Sequence, residues 1–215
     1  MSTQRFSSES ELLDFAAFFL GSQVKKFRKD IDICLTADRN RRHAYFPALI
    51  TCIGFADLLS GLHAGKVEGH SLSELVTYAQ TFMDRTHYTP QNLTILYECF
   101  RHKVAHLNHP YMVFDTRTKP SKFPNHSMRL TWTVCASRRS PPIEVIRYPR
   151  PISLRKTRTP WNVEYDHRVK ISVRSLATDI VGSIYGPSGY RQHLHKDGSA
   201  RSRFERCMND FYPGQ

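Results

Sequence analysis

The chain has 215 residues, 40% of them hydrophobic and 12% aromatic, and its 31 Lys and Arg outnumber its 19 Asp and Glu to leave a formal net charge of +12. That length fits one domain, or one domain with an appendage, and that apolar content excludes wholesale disorder. The surplus of positive charge points to a polyanionic partner, with RNA or DNA ahead of an acidic membrane or protein.

Residues 9–20 read as a short helix broken at Gly21-Ser22. A second segment carries Val24, Phe27, Ile31 and Cys34 at helical spacing, with Lys25, Lys26, Arg28 and Lys29 on the other side. Residues 45–62 are apolar almost all round, with Pro47 in the first turn and Gly61 at the close, which predicts a helix at the centre of a bundle. Asp57 is the only charged residue between His43 and His63. A buried carboxylate needs a partner, and Arg101 on a neighbouring helix is the expected one, the alternative being a polar edge for Asp57. Ser71-Leu-Ser-Glu74 is a capping box that opens a third helix, followed by a stripe from Leu72 to Met83. Thr89-Pro90 opens the fourth, with Leu93, Leu96, Tyr97, Phe100, Val104 and Leu107 on one side and Pro110 as the stop.

Beyond Pro110 the period changes from helical to alternating. Residues 128–136 and 163–173 alternate as half-buried strands, 143–148 is a third strand, and 175–185 and 199–211 are short helices. The expected fold is α+β and mainly α: an up-and-down four-helix bundle over 1–110, with a small antiparallel sheet and C-terminal helices over 111–215 packed on it.

Two clusters of polar residues stand out. A Pro-rich basic stretch between Cys135 and Trp161 holds Arg138, Arg139, Arg147, Arg150, Arg155, Lys156 and Arg158 against a single acid, Glu144. It reads as a solvated hairpin loop, or as an arm that tracks phosphates, and these arginines and the lysine are the candidate nucleic-acid-binding residues. His193-Leu-His195 reads as a solvated loop, and Trp132 as core.

No uninterrupted run of eighteen apolar residues is present, which predicts no membrane span. The apolar residues 15–20 follow Glu9, Glu11 and Asp14, the wrong flank for a secretion signal, so a cytoplasmic location is expected. The five cysteines are scattered without a Cys-x-x-Cys pair, which argues against a disulfide framework or a cysteine zinc site.

The run Leu96-Tyr-Glu-Cys-Phe-Arg101-His-Lys-Val-Ala-His106 resembles the signature of the HEPN superfamily, small helical bundles with an arginine and a histidine four to six residues apart. The position after the arginine is usually polar, and here it is His102. The resemblance covers about residues 24–109. It implies metal-independent RNA cleavage from a homodimer, often in toxin or defence systems held in check by a protein inhibitor, with no cofactor. Other members only bind nucleic acid or nucleotides. By this resemblance His106 is the general base toward a ribose 2′-hydroxyl and Arg101 stabilises the phosphate, with a 2′,3′-cyclic phosphate as product. Asp57 and His102 are the candidate supporting residues. On an ideal α-helix five residues place Arg101 and His106 about 140° apart, so one must swing round the helix or a second protomer must complete the site. Zinc at His102, His106 and His109 is disfavoured, because Lys103 stands where the metalloprotease helix has its glutamate.

Overall fold

The computed structural model describes residues 6–37, 43–69, 71–101, 113–123, 127–153 and 163–213. Among them are seven α-helices, a π-helical turn and a four-stranded mixed sheet, an α+β arrangement that is mainly helical.

Helix α1 runs unbroken over Glu9–Leu35. Ser8 caps it by accepting from the Glu11 amide at 3.2 Å, and Glu9 and Glu11 sit where the helix dipole favours acids. The expected break at Gly21-Ser22 does not occur. Leu12, Ala16, Phe19 and Leu20 before it and Val24, Phe27, Ile31 and Leu35 after it form one buried stripe in a single helical phase. Packing of that stripe outweighs the roughly 1 kcal/mol that an interior glycine costs.

Helix α2, Tyr45–Ala64, is the hub. It extends one turn beyond Gly61 and stops at Gly65, which takes the left-handed conformation at φ 75° that a side chain would resist. Its length and a mean hydropathy of 1.5 make it long and apolar enough to cross a membrane. In the structure most of it is enclosed by protein, by α1, by α3 (Leu72–Phe82), and by α5 (Val173–Tyr185) and α7 (Gly198–Phe211) near the end of the chain. Phe204, Cys207 and Met208 of α7 are fully buried, in one core that reaches from Phe6 to Met208.

The capping box at Ser71 is complete, since Ser71 accepts from the Ser73 amide and Glu74 accepts from the Ser71 amide at 2.8 Å. The Glu74 carboxyl is held well below its usual range by Lys66 and by Ser71. Helix α4, Pro90–Ile95, opens on Thr89, whose hydroxyl accepts from the Asn92 amide at 3.2 Å. It then widens into the π turn Leu96–Arg101. The expected one-sided stripe is instead burial on all sides, since every residue from 93 to 100 is inside, Glu98 included. Burial pushes the Glu98 carboxyl up, but Lys122 and Lys119 outweigh it and hold the pKa below the usual range. Replacing Glu98 with alanine is expected to cost about 1–2 kcal/mol in urea unfolding, since the half-exposed lysines regain water. The part of that margin that comes from the lowered pKa should fade in the wild type as pH falls from the ordinary glutamate value through the folded-state pKa, and the variant should not show it.

The sheet has the order β1-β2-β4-β3, with β1 Phe114–Asp115, β2 Arg129–Cys135, β3 Ile143–Ser153 and β4 Glu164–Ser172. It is mixed rather than antiparallel: β4 inserts beside β2 in parallel register, with Trp132 opposite Val169, and pairs antiparallel with β3 on its other side. Within the basic stretch read as a loop, the strand expected over 143–148 runs on as edge strand β3 to Ser153, while Arg138 and Arg139 stay in the β2–β3 connection. Pro149 and Pro151 fall where the β3–β4 register shifts between Arg147 and Ile152, an irregularity of an edge strand that needs no N–H from either residue. The segment around His193 and His195 is also helical: α6, Tyr190–Lys196, docks through buried Tyr190 and Leu194 while His195 remains exposed. Two buried residues in seven give too little periodicity to announce a helix.

Candidate functional site

Arg101 ends the π turn and points at α2. Its Nε lies 2.5 Å from Asp57 Oδ2, its Nη1 donates to the Tyr97 hydroxyl at 2.7 Å, and its guanidinium carbon sits 4.6 Å from the centre of the Tyr97 ring. Asp57 is buried, with 9% of its side chain exposed, whereas the arginine side chain is 32% exposed. The carboxylate therefore belongs to the core and the guanidinium spans from core to surface.

The local sequence produces this arrangement. Asp57 stands on the all-apolar helix α2, where a carboxylate is tolerable only with a cationic partner. Tyr97 and Arg101 are four residues apart, close enough along the turn for hydroxyl and ring to meet the same guanidinium. The structure thus joins Asp57 to Arg101 and adds Tyr97, which periodicity alone assigned to the apolar stripe. The signal for Tyr97 was its i, i+4 spacing to Arg101.

His102 and His106 lie outside the described residues, as do Arg155, Lys156 and Arg158, so their relation to Arg101 belongs to the proposal below. The 140° separation assumed an α-helix, and the turn that ends at Arg101 is π-helical. That turn precedes the span from Arg101 to His106, and such turns recur at functional sites.

The remaining arginines of the basic stretch are spread over a connection and an edge strand. Arg138 and Arg139 occupy the β2–β3 connection and are exposed. Arg147 pairs with His167 on the side of the sheet that also carries Leu130, while Ile146 pairs with Arg168 on the opposite side. Arg150 falls within the register shift and is exposed. Trp132 is half-buried and meets Phe46 edge-on at 5.0 Å, a core role. The five cysteines are free thiols. Among the described residues no group of three His, Cys, Asp or Glu side chains is placed to hold a metal ion.

A second polar feature sits at the far end of α2. His63 contacts the rings of Tyr78, Phe82, Tyr190 and His193 at 5.3–6.1 Å, and its carbonyl accepts from Arg203 Nε at 2.6 Å. Burial, then Arg203 and His193, push its pKa down to about 4 despite the opposing charge of Asp197. This imidazole is a neutral member of an aromatic cluster.

Comparison of the chain with protein-family models, with curated proteins and with solved structures gives no match.

Proposed function

We propose that the protein is a metal-independent endoribonuclease of the HEPN type, in which Arg101 holds the scissile phosphate and His106 takes the proton from the 2′-hydroxyl. The observation that carries this reading is the fixing of Arg101 by Asp57 and Tyr97 at the end of a π turn. A guanidinium has five N–H donors, and these two contacts engage Nε and Nη1. The remaining donors form the fork we assign to the phosphate, already oriented before RNA arrives. Asp57 largely cancels the charge of Arg101, so the pair contributes direction. Attraction of the polyanion falls to the net +12 of the chain.

In this reading α1 to α4 form the up-and-down bundle of that superfamily, two copies bring their motifs together, and His102 positions the substrate. The protein works in the cytoplasm, without a cofactor, under control of a protein inhibitor. The test is incubation with mixed RNA substrates in excess EDTA, comparing wild type with Arg101→Lys, Arg101→Ala and His106→Ala after circular dichroism has verified each fold. Metal-independent cleavage should fall at least a hundredfold in His106→Ala and in Arg101→Ala, and Arg101→Lys should restore little, because an ammonium lacks the bidentate fork.

A second reading, binding of nucleic acid without chemistry, is favoured by the exposed Arg138, Arg139, Arg147 and Arg150 on and beside an edge strand. In that case no variant cleaves, all bind alike, and affinity falls steeply with salt.

A further inference from the structure

A cleft of about 280 Å³ opens between α1, α5 and the β2–β3 connection, sharing no residue with Asp57, Tyr97 and Arg101. Its floor is apolar. Phe27, Ile31 and Val181 are buried there, and Phe27 is braced by stacking on Phe55 with ring centres 4.5 Å apart. Its rim is basic: α1 supplies Arg28, α5 supplies Arg174, and the β2–β3 connection supplies Arg138. One acid, Asp32, stands among them, 3.7 Å from Arg174. Three cations against one carboxylate leave a surplus of two positive charges, matched by a phosphomonoester dianion and only half matched by a phosphodiester.

The backbone that carries two of the arginines is held in place before any ligand arrives. The turn that carries Arg138 is tied to the start of α5, because Ser175 Oγ donates to the Ser140 carbonyl at 2.7 Å and lies 3.3 Å from the Ser137 carbonyl, which also accepts from Ser172 Oγ. The Arg139 amide closes the turn on Ser137 Oγ at 3.2 Å. Arg174 lies between Ser172 and Ser175 in the same first turn of α5, so these serines fix the backbone segments that carry Arg138 and Arg174 against one another. Two arginines on backbone set in advance, over an apolar floor, suit a small charged organic ligand, since only their side chains remain to be ordered. The volume lies at the lower end of the range for ligand pockets, which limits the occupant to mononucleotide size.

We propose that this cleft binds a small organic phosphomonoester, the phosphate between Arg138 and Arg174 with Arg28 beside it, and the body of the ligand on Phe27, Ile31 and Val181. Asp32 accepts from a hydroxyl or amino group of the ligand. The site stands on residues separate from those of the ribonuclease reading and does not depend on it.

The test is isothermal titration of the full chain with adenosine 5′-monophosphate, adenosine and inorganic phosphate. The nucleotide should bind saturably and at least tenfold more tightly than either fragment, because only it meets both rim and floor. Arg174→Ala should weaken it about tenfold or more, the loss expected for a charge-assisted contact. Thr178→Trp, at an exposed position on the rim, keeps every charge and should weaken binding by filling the cleft, and it serves as well where Arg174→Ala does not fold. Nucleotide binding no tighter than inorganic phosphate overturns the proposal, as does an affinity that the folded variants leave unchanged.

Discussion

Replacing Arg101 with methionine should destabilise the protein by about 2–3 kcal/mol, whereas Asp57→Asn should cost about 1 kcal/mol. The asymmetry follows from where the two charges sit. Asp57 is inside the core, so losing the guanidinium leaves a buried carboxylate short of its cationic partner, a change that costs about 3–5 kcal/mol when both charges are fully buried. Arg101 is one-third exposed, so the figure is discounted, and losing the carboxylate lets the arginine regain water. Urea unfolding of the two single variants and of Asp57→Asn/Arg101→Met measures the coupling, and the double variant should be closer to Asp57→Asn than to Arg101→Met. Function separates orientation from structure. If Asp57 orients Arg101 in the proposed ribonuclease, Asp57→Asn should lower that cleavage while the protein remains folded at assay temperature. Unchanged stability together with unchanged activity in Asp57→Asn would refute that role.

The second large effect concerns acid. His63 has a folded-state pKa of about 4 against an ordinary value near 6.5, so between these pH values the unfolded chain binds a proton that the folded chain does not. The unfolded state is therefore favoured as pH falls through that window, and the contribution is complete near the folded value. On this basis His63 removes roughly 2–3 kcal/mol of stability between pH 7 and pH 4.5. His63→Phe keeps the edge-on contacts with Tyr78, Phe82 and Tyr190 and leaves the backbone bond to Arg203 in place. The variant should match the wild type within about 1 kcal/mol at pH 7 and exceed it by about 2 kcal/mol at pH 4.5 in urea unfolding. Parallel loss of stability in both proteins would assign the acid sensitivity elsewhere.

The His63 cluster also marks a place where a reading along the chain was bound to fall short. Its members come from the end of α2, from α3 and from α6, and no local pattern connects His63 with Tyr190 or His193. The three-arginine cleft is a stronger case. Arg138 appeared as one of seven basic residues in a presumed loop, and Arg28 as part of a solvated helix face. Only the folding of Ser172 and Ser175 onto the β2–β3 connection brings Arg138 beside Arg174.

What the amino-acid sequence by itself determined were the features whose physics is local. The unpolar circumference of α2, the capping box at Ser71, the Thr89-Pro90 start and the alternation in β2 and β4 each concern residues within a turn or two of one another. Even the Asp57–Arg101 pair was legible, because a lone carboxylate on an apolar helix demands a cation. Tertiary structure decided the rest. It carried α1 through Gly21, since the packing of a continuous stripe exceeds the local penalty of one glycine. It placed β4 between β2 and β3, because strand order depends on pairing between segments far apart in the chain. It buried Glu98 under Lys119 and Lys122, more than twenty residues away. It also wound the approach to Arg101 as a π turn, a choice made by packing on all sides of that segment.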